Sequence, residues 1–274
     1  MSVAPEELAR PVRVGAIDVR GVSKVYGNGD VRALDPVDLT LEAGGFTAIV
    51  GPSGCGKTTL LKIIGDILAA SDGDVLIDGE PAGACRRDRR IGYVFQTPVL
   101  LPWRTVRENV LLPYDISRSG RRKRATIGPR LDEVLDVVGL TEFADKLPTQ
   151  LSGGMQARVA LARALIYEPS VLLMDEPFAA LDELTRSKMA LHLLDVWQRL
   201  GTSVVFVTHH IEEAVLLADR VLVMSPRPGR IRRDIPVDLP RPRSLETRRH
   251  PLFRSLTDDL VADFHRDDDP SHSV

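Results

Sequence analysis

Residues 51–59 read "GPSGCGKTT", and this short loop decides the fold. It follows "FTAIV", an apolar run of β character, and leads into "KTTLLKIIGDIL", whose apolar residues recur at helical spacing. Strand, glycine-rich turn and helix in that order satisfy the pattern G-x-x-x-x-G-K-[ST]. In such a turn the backbone N–H groups about Gly51, Gly54 and Gly56 converge on phosphate oxygens. Lys57 reaches the terminal phosphates and the Thr58 hydroxyl ligates Mg²⁺, with Pro52, Ser53, Cys55 and Thr59 completing the loop. An accidental Gly-rich turn would not be flanked by a strand and a helix on the correct sides.

Outward from the loop, strands alternate with helices. "VGAIDVRGVSKVY" and "VDLTLEAGGFTAIVG" read as strands before it, and "GDVLIDGEPAG" and "IGYVFQ" as strands after its helix. Then "VLLMD", "SVVFVTH" and "VLVM" are strands separated by the helices "ELTRSKMALHLLDVWQRLG" and "IEEAVLLADR". That alternation predicts an α/β fold with a parallel sheet. A helical block at about 97–150 interrupts it as an insertion, with the basic link "SRSGRRKRATIGPR" inside. From about residue 241 to 274 we expect a loose helix followed by disorder. No internal repeat is visible, so the chain holds one nucleotide module at 13–240.

Bulk properties narrow the setting. The 274 residues suffice for a large core, and 43% hydrophobic with 27% charged residues is ordinary globular composition. A net charge of −2 supplies no global basic field, so no nucleic-acid partner is expected. Two cysteines, Cys55 and Cys85, make no disulfide framework and fit a reducing compartment. The N-terminus has Glu and Pro where a signal peptide needs an apolar core, and no apolar run approaches the ~20 residues of a membrane span. A soluble, cytoplasmic chain is the expectation.

Two further motifs carry chemistry. "VLLMDEP" (171–177) ends an apolar strand in Asp175, placed to hold the metal directly or from one layer out, and Glu176, a candidate general base for an attacking water. The competing reading of Glu176 is an N-cap for the next helix. "LSGGMQARVALARAL" (151–165) runs from a Ser-Gly-Gly turn straight into a helix, which is a second anion site without a second lysine.

With these pieces together the chain resembles the nucleotide-binding subunits of ATP-binding cassette (ABC) transporters over nearly its whole length. "LSGGMQ" is similar to that family's signature loop. The resemblance implies a P-loop NTPase core with an N-terminal antiparallel β subdomain and an inserted α-helical subdomain, using ATP and Mg²⁺. It implies that Tyr26 of "VSKVYG" stacks on adenine and that Gln96 senses Mg²⁺ and the attacking water. It further implies that Asp182 of "AALD" contacts the opposite subunit and that His209 acts as the γ-phosphate switch. Two subunits would meet head to tail, so that Ser152, Gly153 and Gly154 of one close over the nucleotide held by Lys57 of the other. That arrangement would explain two anion sites with one lysine.

"LLPWRTVRENV" (100–110) resembles the surface with which importer subunits grip a permease, with Trp103 as a docking aromatic. With "VLVMSPRPGRI" (221–231) it is similar to importers of nitrate, sulfonates and taurine, although "SPRPGR" also reads as a rigid hairpin. Expected partners are a second nucleotide-binding subunit, transmembrane permease subunits and, indirectly, a periplasmic or extracellular solute-binding protein. The subunit would lie peripherally on the inner face of the cell membrane. The alternative is a soluble ABC ATPase acting on another macromolecule. Two departures stand out: His210 where the family usually has Asp, and Gly65-Asp66-Ile67 for Ala-Gly-Leu, which places a negative charge at a helix C-terminus. The clusters "RRDRR" (86–90) and "RRKR" (121–124) read as solvated faces.

Overall fold

The computed structural model describes residues 14–27, 31–116 and 126–267, with side chains through residue 264. The cluster at 121–124 and the expected disorder at the C-terminal end lie outside the described residues.

Two sheets form. Strands β1 (Ile17–Tyr26), β2 (Val31–Leu41), β4 (Asp72–Ile77) and the short β5 (Glu80–Pro81) make an antiparallel sheet in the order β2-β1-β4-β5. The second sheet has the order β10-β9-β3-β8-β7-β6, built from β3 (Phe46–Val50), β6 (Ile91–Val94), β7 (Val171–Asp175), β8 (Ser203–Val207), β9 (Arg220–Met224) and β10 (Ile231–Pro236). Only β10 runs antiparallel to its neighbour; β9, β3, β8, β7 and β6 are parallel. Parallel strands are covered on both faces, which is why "VLLMD" and "SVVFV" are buried at every position.

The period-2 pleat divides those strands between two cores. Val171, Leu173, Val205 and Val207 face the antiparallel sheet and helix α1 (Lys57–Ile64). Leu172, Met174, Val204 and Phe206 face the opposite layer of helices. Helix α2 (Ala82–Arg87) follows β5. The insertion contributes α3 (Val106–Val110), α4 (Leu112–Asp115) and α5 (Gly128–Val137). The helical layer continues with α6 (Gly153–Leu165), α7 (Glu183–Leu200), α8 (Ile211–Leu217) and α9 (Pro251–Asp267).

The C-terminal segment is not loose. Phe253 and Leu260 of α9 belong to the main buried cluster, and Arg233 on β10 bonds Asp259 (2.7 Å) and Asp263 of α9. Local composition concealed this, because the partners lie elsewhere in the chain. The charge of Asp66 at the end of α1 is also met: its Oδ2 accepts from Arg86 Nε at 2.8 Å. The cluster at 86–90 is structural as well, with Arg90 paired to Asp78 and Arg89 over the Tyr167 ring at 4.3 Å. Among the described residues no helix is long and apolar enough to cross a membrane.

Candidate functional site

Parallel strands deliver their C-terminal ends to one edge of the sheet, and the loops there build the site. The glycine loop after β3 curls into α1 with Gly56, at φ 106°, in the N-cap position. That N-cap has no side-chain hydrogen bond, and the first turn of α1 has no acidic residue. By contrast α3 has a full capping box and α7 is capped by Asp182. The uncapped N-terminus leaves backbone donors and the positive end of the dipole free for an anion. Gly54 and Gly56 differ in role. A Cβ at Gly56 would lie 2.6 Å from Leu34 Cδ2, whereas at Gly54, φ 74°, it would meet only Arg227 Nη2 at 3.8 Å. Gly56 serves packing and Gly54 keeps the cleft open.

Lys57 is buried, and its ammonium donates to Gly51 O (2.8 Å) and Pro52 O (2.9 Å), with Cys55 Sγ at 3.9 Å. Thr58 Oγ1 donates to Asp175 Oδ1 at 2.7 Å, joining α1 to the end of β7. Burial raises the Asp175 carboxyl above the usual carboxylate range, and the Thr58 hydrogen bond draws it partway back. A desolvated carboxylate beside a hydroxyl fits a hard divalent cation whose other oxygens come from phosphate and water. Among the described residues no cluster of three His, Cys, Asp or Glu that could hold a metal ion is found.

Glu176 follows at φ 45°, a left-handed conformation costly for a residue with a Cβ, and its N–H is pinned to Val207 O at 2.9 Å. Its Oε2 lies 3.0 Å from Nδ1 of His209, two residues past the end of β8. Asp182, not Glu176, caps α7: Asp182 Oδ1 accepts from Thr185 N–H at 3.0 Å, and the Thr185 hydrogen bonds hold its carboxyl below the usual range. The capping explanation of Glu176 therefore fails. Tyr26 ends β1 half exposed, its hydroxyl 3.5 Å from Thr59 Oγ1. Tyr26, Ser53, Lys57, Thr58, Thr59 and Glu176 line one cleft of about 220 Å³.

Ser152, Gly153 and Gly154 do not line that cleft. Ser152 is the N-cap of α6, accepting from Met155 N–H at 3.3 Å, and a Cβ on Gly154 would lie 2.9 Å from Thr185 Cγ2. The loop thus packs on the start of α7 and shares a face with Asp182. Gln96 is exposed beyond β6, which ends at Val94, two residues earlier than the sequence pattern implies.

The stretch after Gln96 is strapped by Arg163 of α6, which donates to Pro98 O (2.6 Å) and Val99 O (2.8 Å). Next to it opens an apolar groove of about 660 Å³ lined by residues including Tyr93, Phe95, Val99, Leu101 and Ile116. Trp103 is 72% exposed, two residues past Leu101, and does not itself line the groove. Asn109 organises the Trp103 loop: fully buried, it accepts from Leu101 N–H and donates to Leu101 O, Arg104 O and Thr105 O. Asn109 and Arg227, which also lines the nucleotide cleft, were missed from the sequence. For Asn109 the one available signal was a polar residue in the otherwise apolar run "VRENVLL".

A glycine loop on an uncapped helix, a buried lysine and a Thr–Asp pair at the edge of a parallel sheet define a P-loop nucleotide-binding protein. Comparison with known proteins narrows the class. The ABC transporter profile matches residues 34–179, more than half of the chain. A taurine import ATP-binding protein of Roseobacter denitrificans is 44% identical over 239 residues, covering 85% of this chain and 87% of that protein. An aliphatic sulfonates import ATP-binding protein of Bacillus cereus is 38% identical over 252 residues, covering 91% and 96%. Among solved structures, the dimeric post-hydrolysis ATP-binding cassette MJ0796 bound to ADP and Pi superposes with a TM-score of 0.66 at 37% identity, covering 81% of this chain and 98% of that one. The chain belongs to the ABC transporter family.

Proposed function

We propose that this chain is the ATP-hydrolysing subunit of an importer, working as a head-to-tail pair on the inner face of a membrane through a separate permease. One observation carries the paired arrangement. The phosphate loop and the signature loop each open a helix whose first turn has no acidic residue, yet within one chain only the phosphate loop lines the cleft. A second copy supplies Ser152, Gly153 and Gly154 to complete it, and Asp182, beside them, meets that copy.

In this reading Tyr26 stacks on the adenine, the loop from Gly51 to Thr59 holds the phosphates, and Lys57 neutralises the terminal ones. Mg²⁺, held by Thr58 and Asp175 and sensed by Gln96, would offset charge developing on the phosphoryl oxygens. Glu176 takes the proton of the attacking water, and His209, whose Nδ1 lies 3.0 Å from that carboxylate, is the γ-phosphate switch beside it. The nucleotide-binding domain spans 13–240, with the helical insertion at about 97–150.

The apolar groove beside Gln96 supports the permease partnership, because the exposed apolar side chains of Phe95, Val99 and Ile116 line it and Trp103 is exposed on the loop after Leu101. The imported solute is a small sulfonate, taurine, nitrate or similar anion, a reading supported by the relatives and by "SPRPGR". Ile116→Asp should leave the isolated subunit folded and ATP-competent but abolish co-purification with its permease, and Trp103→Ala should weaken it. If both variants co-purified and transported like wild type, the permease would dock elsewhere.

A further inference from the structure

The turn joining β9 to β10, "SPRPGR" (225–230), forms part of the wall of the nucleotide cleft. It is clamped to the phosphate loop and to β2. A Cβ on Gly229 would lie 2.0 Å from Cys55 O, so the turn backbone rests directly on the loop. Gly229 N–H donates to Ala33 O and Gly229 O accepts from Asp35 N–H, each at 3.0 Å. From this fixed base Arg227 reaches the crest of the phosphate loop, where Nη2 donates to Gly54 O at 3.3 Å.

Lys57 and Arg227 are the two cationic side chains lining the cleft among the described residues. Lys57 is buried and saturated by its own loop. Arg227 is exposed, and its Nη2 makes one long bond to the neutral Gly54 carbonyl. A guanidinium gains more from an anionic oxygen at a shorter distance, and its planar fork suits phosphate.

We propose that Arg227 is a nucleotide-binding residue, whose guanidinium exchanges the Gly54 carbonyl for a phosphate oxygen of the bound nucleoside triphosphate. The β9–β10 turn then acts as a second cationic wall, braced so that the arginine needs little reordering to bind. The inference rests on the nucleotide site proposed above.

The test compares wild type and Arg227→Gln, full length, by displacement of a fluorescent ATP analogue with Mg·ATP, alongside melting without nucleotide. The shorter Gln side chain gives up the Gly54 bond as well as the charge, so melting without nucleotide reads any structural role of that bond separately. The proposal expects roughly tenfold weaker Mg·ATP binding, the loss of one charge-assisted hydrogen bond, with an unchanged melting temperature. Binding within about twofold of wild type, under a third of that loss on the same logarithmic scale, would overturn it. A weakening accompanied by a lower melting temperature would overturn it too, marking a structural role. Failure of wild type itself to bind Mg·ATP would remove the nucleotide site and this inference together, whereas binding by both proteins removes this inference alone.

Discussion

Glu176 sits where a strand has ended and the backbone has turned left-handed, pinned by Val207 and facing His209. Strain of this kind persists where the surroundings fix it, and here it aims a carboxylate at the phosphate edge. Glu176→Gln should keep Mg·ATP binding and lose hydrolysis by at least about 10²-fold, as expected for a general base. Phosphate release within about threefold of wild type would exclude that role. The placement of Asp175, Glu176 and His209 was legible in the sequence because they end or closely follow the apolar strands β7 and β8, and parallel pairing of β3, β8 and β7 sets those ends side by side. Arg227 was not, because its partner Gly54 is 173 positions away. Neither was Glu213, buried on α8, with Oε2 taken by the Thr208 hydroxyl and Oε1 unpartnered. Burial pushes its carboxyl up to about 7, against 4.5 for an ordinary glutamate. The folded state then binds the proton more tightly than the unfolded chain, so stability falls as pH rises through that window and levels off above it. Glu213→Gln should melt several degrees above wild type near pH 8, with the gap closing towards pH 5. A gap independent of pH would show that Glu213 does not ionise in this way.

At the scale of elements, the strands of the sheet declared themselves as near-continuous apolar runs, and the helices by their spacing. The C-terminal helix was expected but its docking was not, since what fixes it is long-range. Arg241 stacks over Trp197 at 4.2 Å and bonds Asp219, and Trp197 meets Phe46 edge-on. Buried Arg243 donates to Leu216 O and Ala218 O at the end of α8 and to Val237 O and Leu239 O after β10. Burial, then the neighbouring Arg241, lowers its guanidinium to about 10, so it remains charged at neutral pH. It satisfies carbonyls that a helix C-terminus leaves open and bolts α8 to the chain leading into α9. Arg243→Met keeps the apolar stem but strands those carbonyls, and should cost about 3 kcal/mol in urea unfolding. A loss below about 1 kcal/mol, typical of a surface change, would mean that water replaces the arginine.

At the scale of the whole molecule, the account requires that each nucleotide lies between two chains, its phosphates on Lys57 of one and Ser152 of the other. Lys57→Ala disables the site on its own phosphate loop, and Ser152→Arg blocks the site on the opposite chain. Either homodimer then has two damaged sites. A mixed dimer of the two variants collects both defects in one site and leaves the other with wild-type Lys57 and Ser152. The decisive measurement is trapped labelled nucleotide per confirmed mixed dimer. The account predicts occlusion at one site per dimer while both homodimers occlude none. No occlusion in the mixed dimer would contradict it, because a signature loop serving its own phosphate loop would leave one defect in every site.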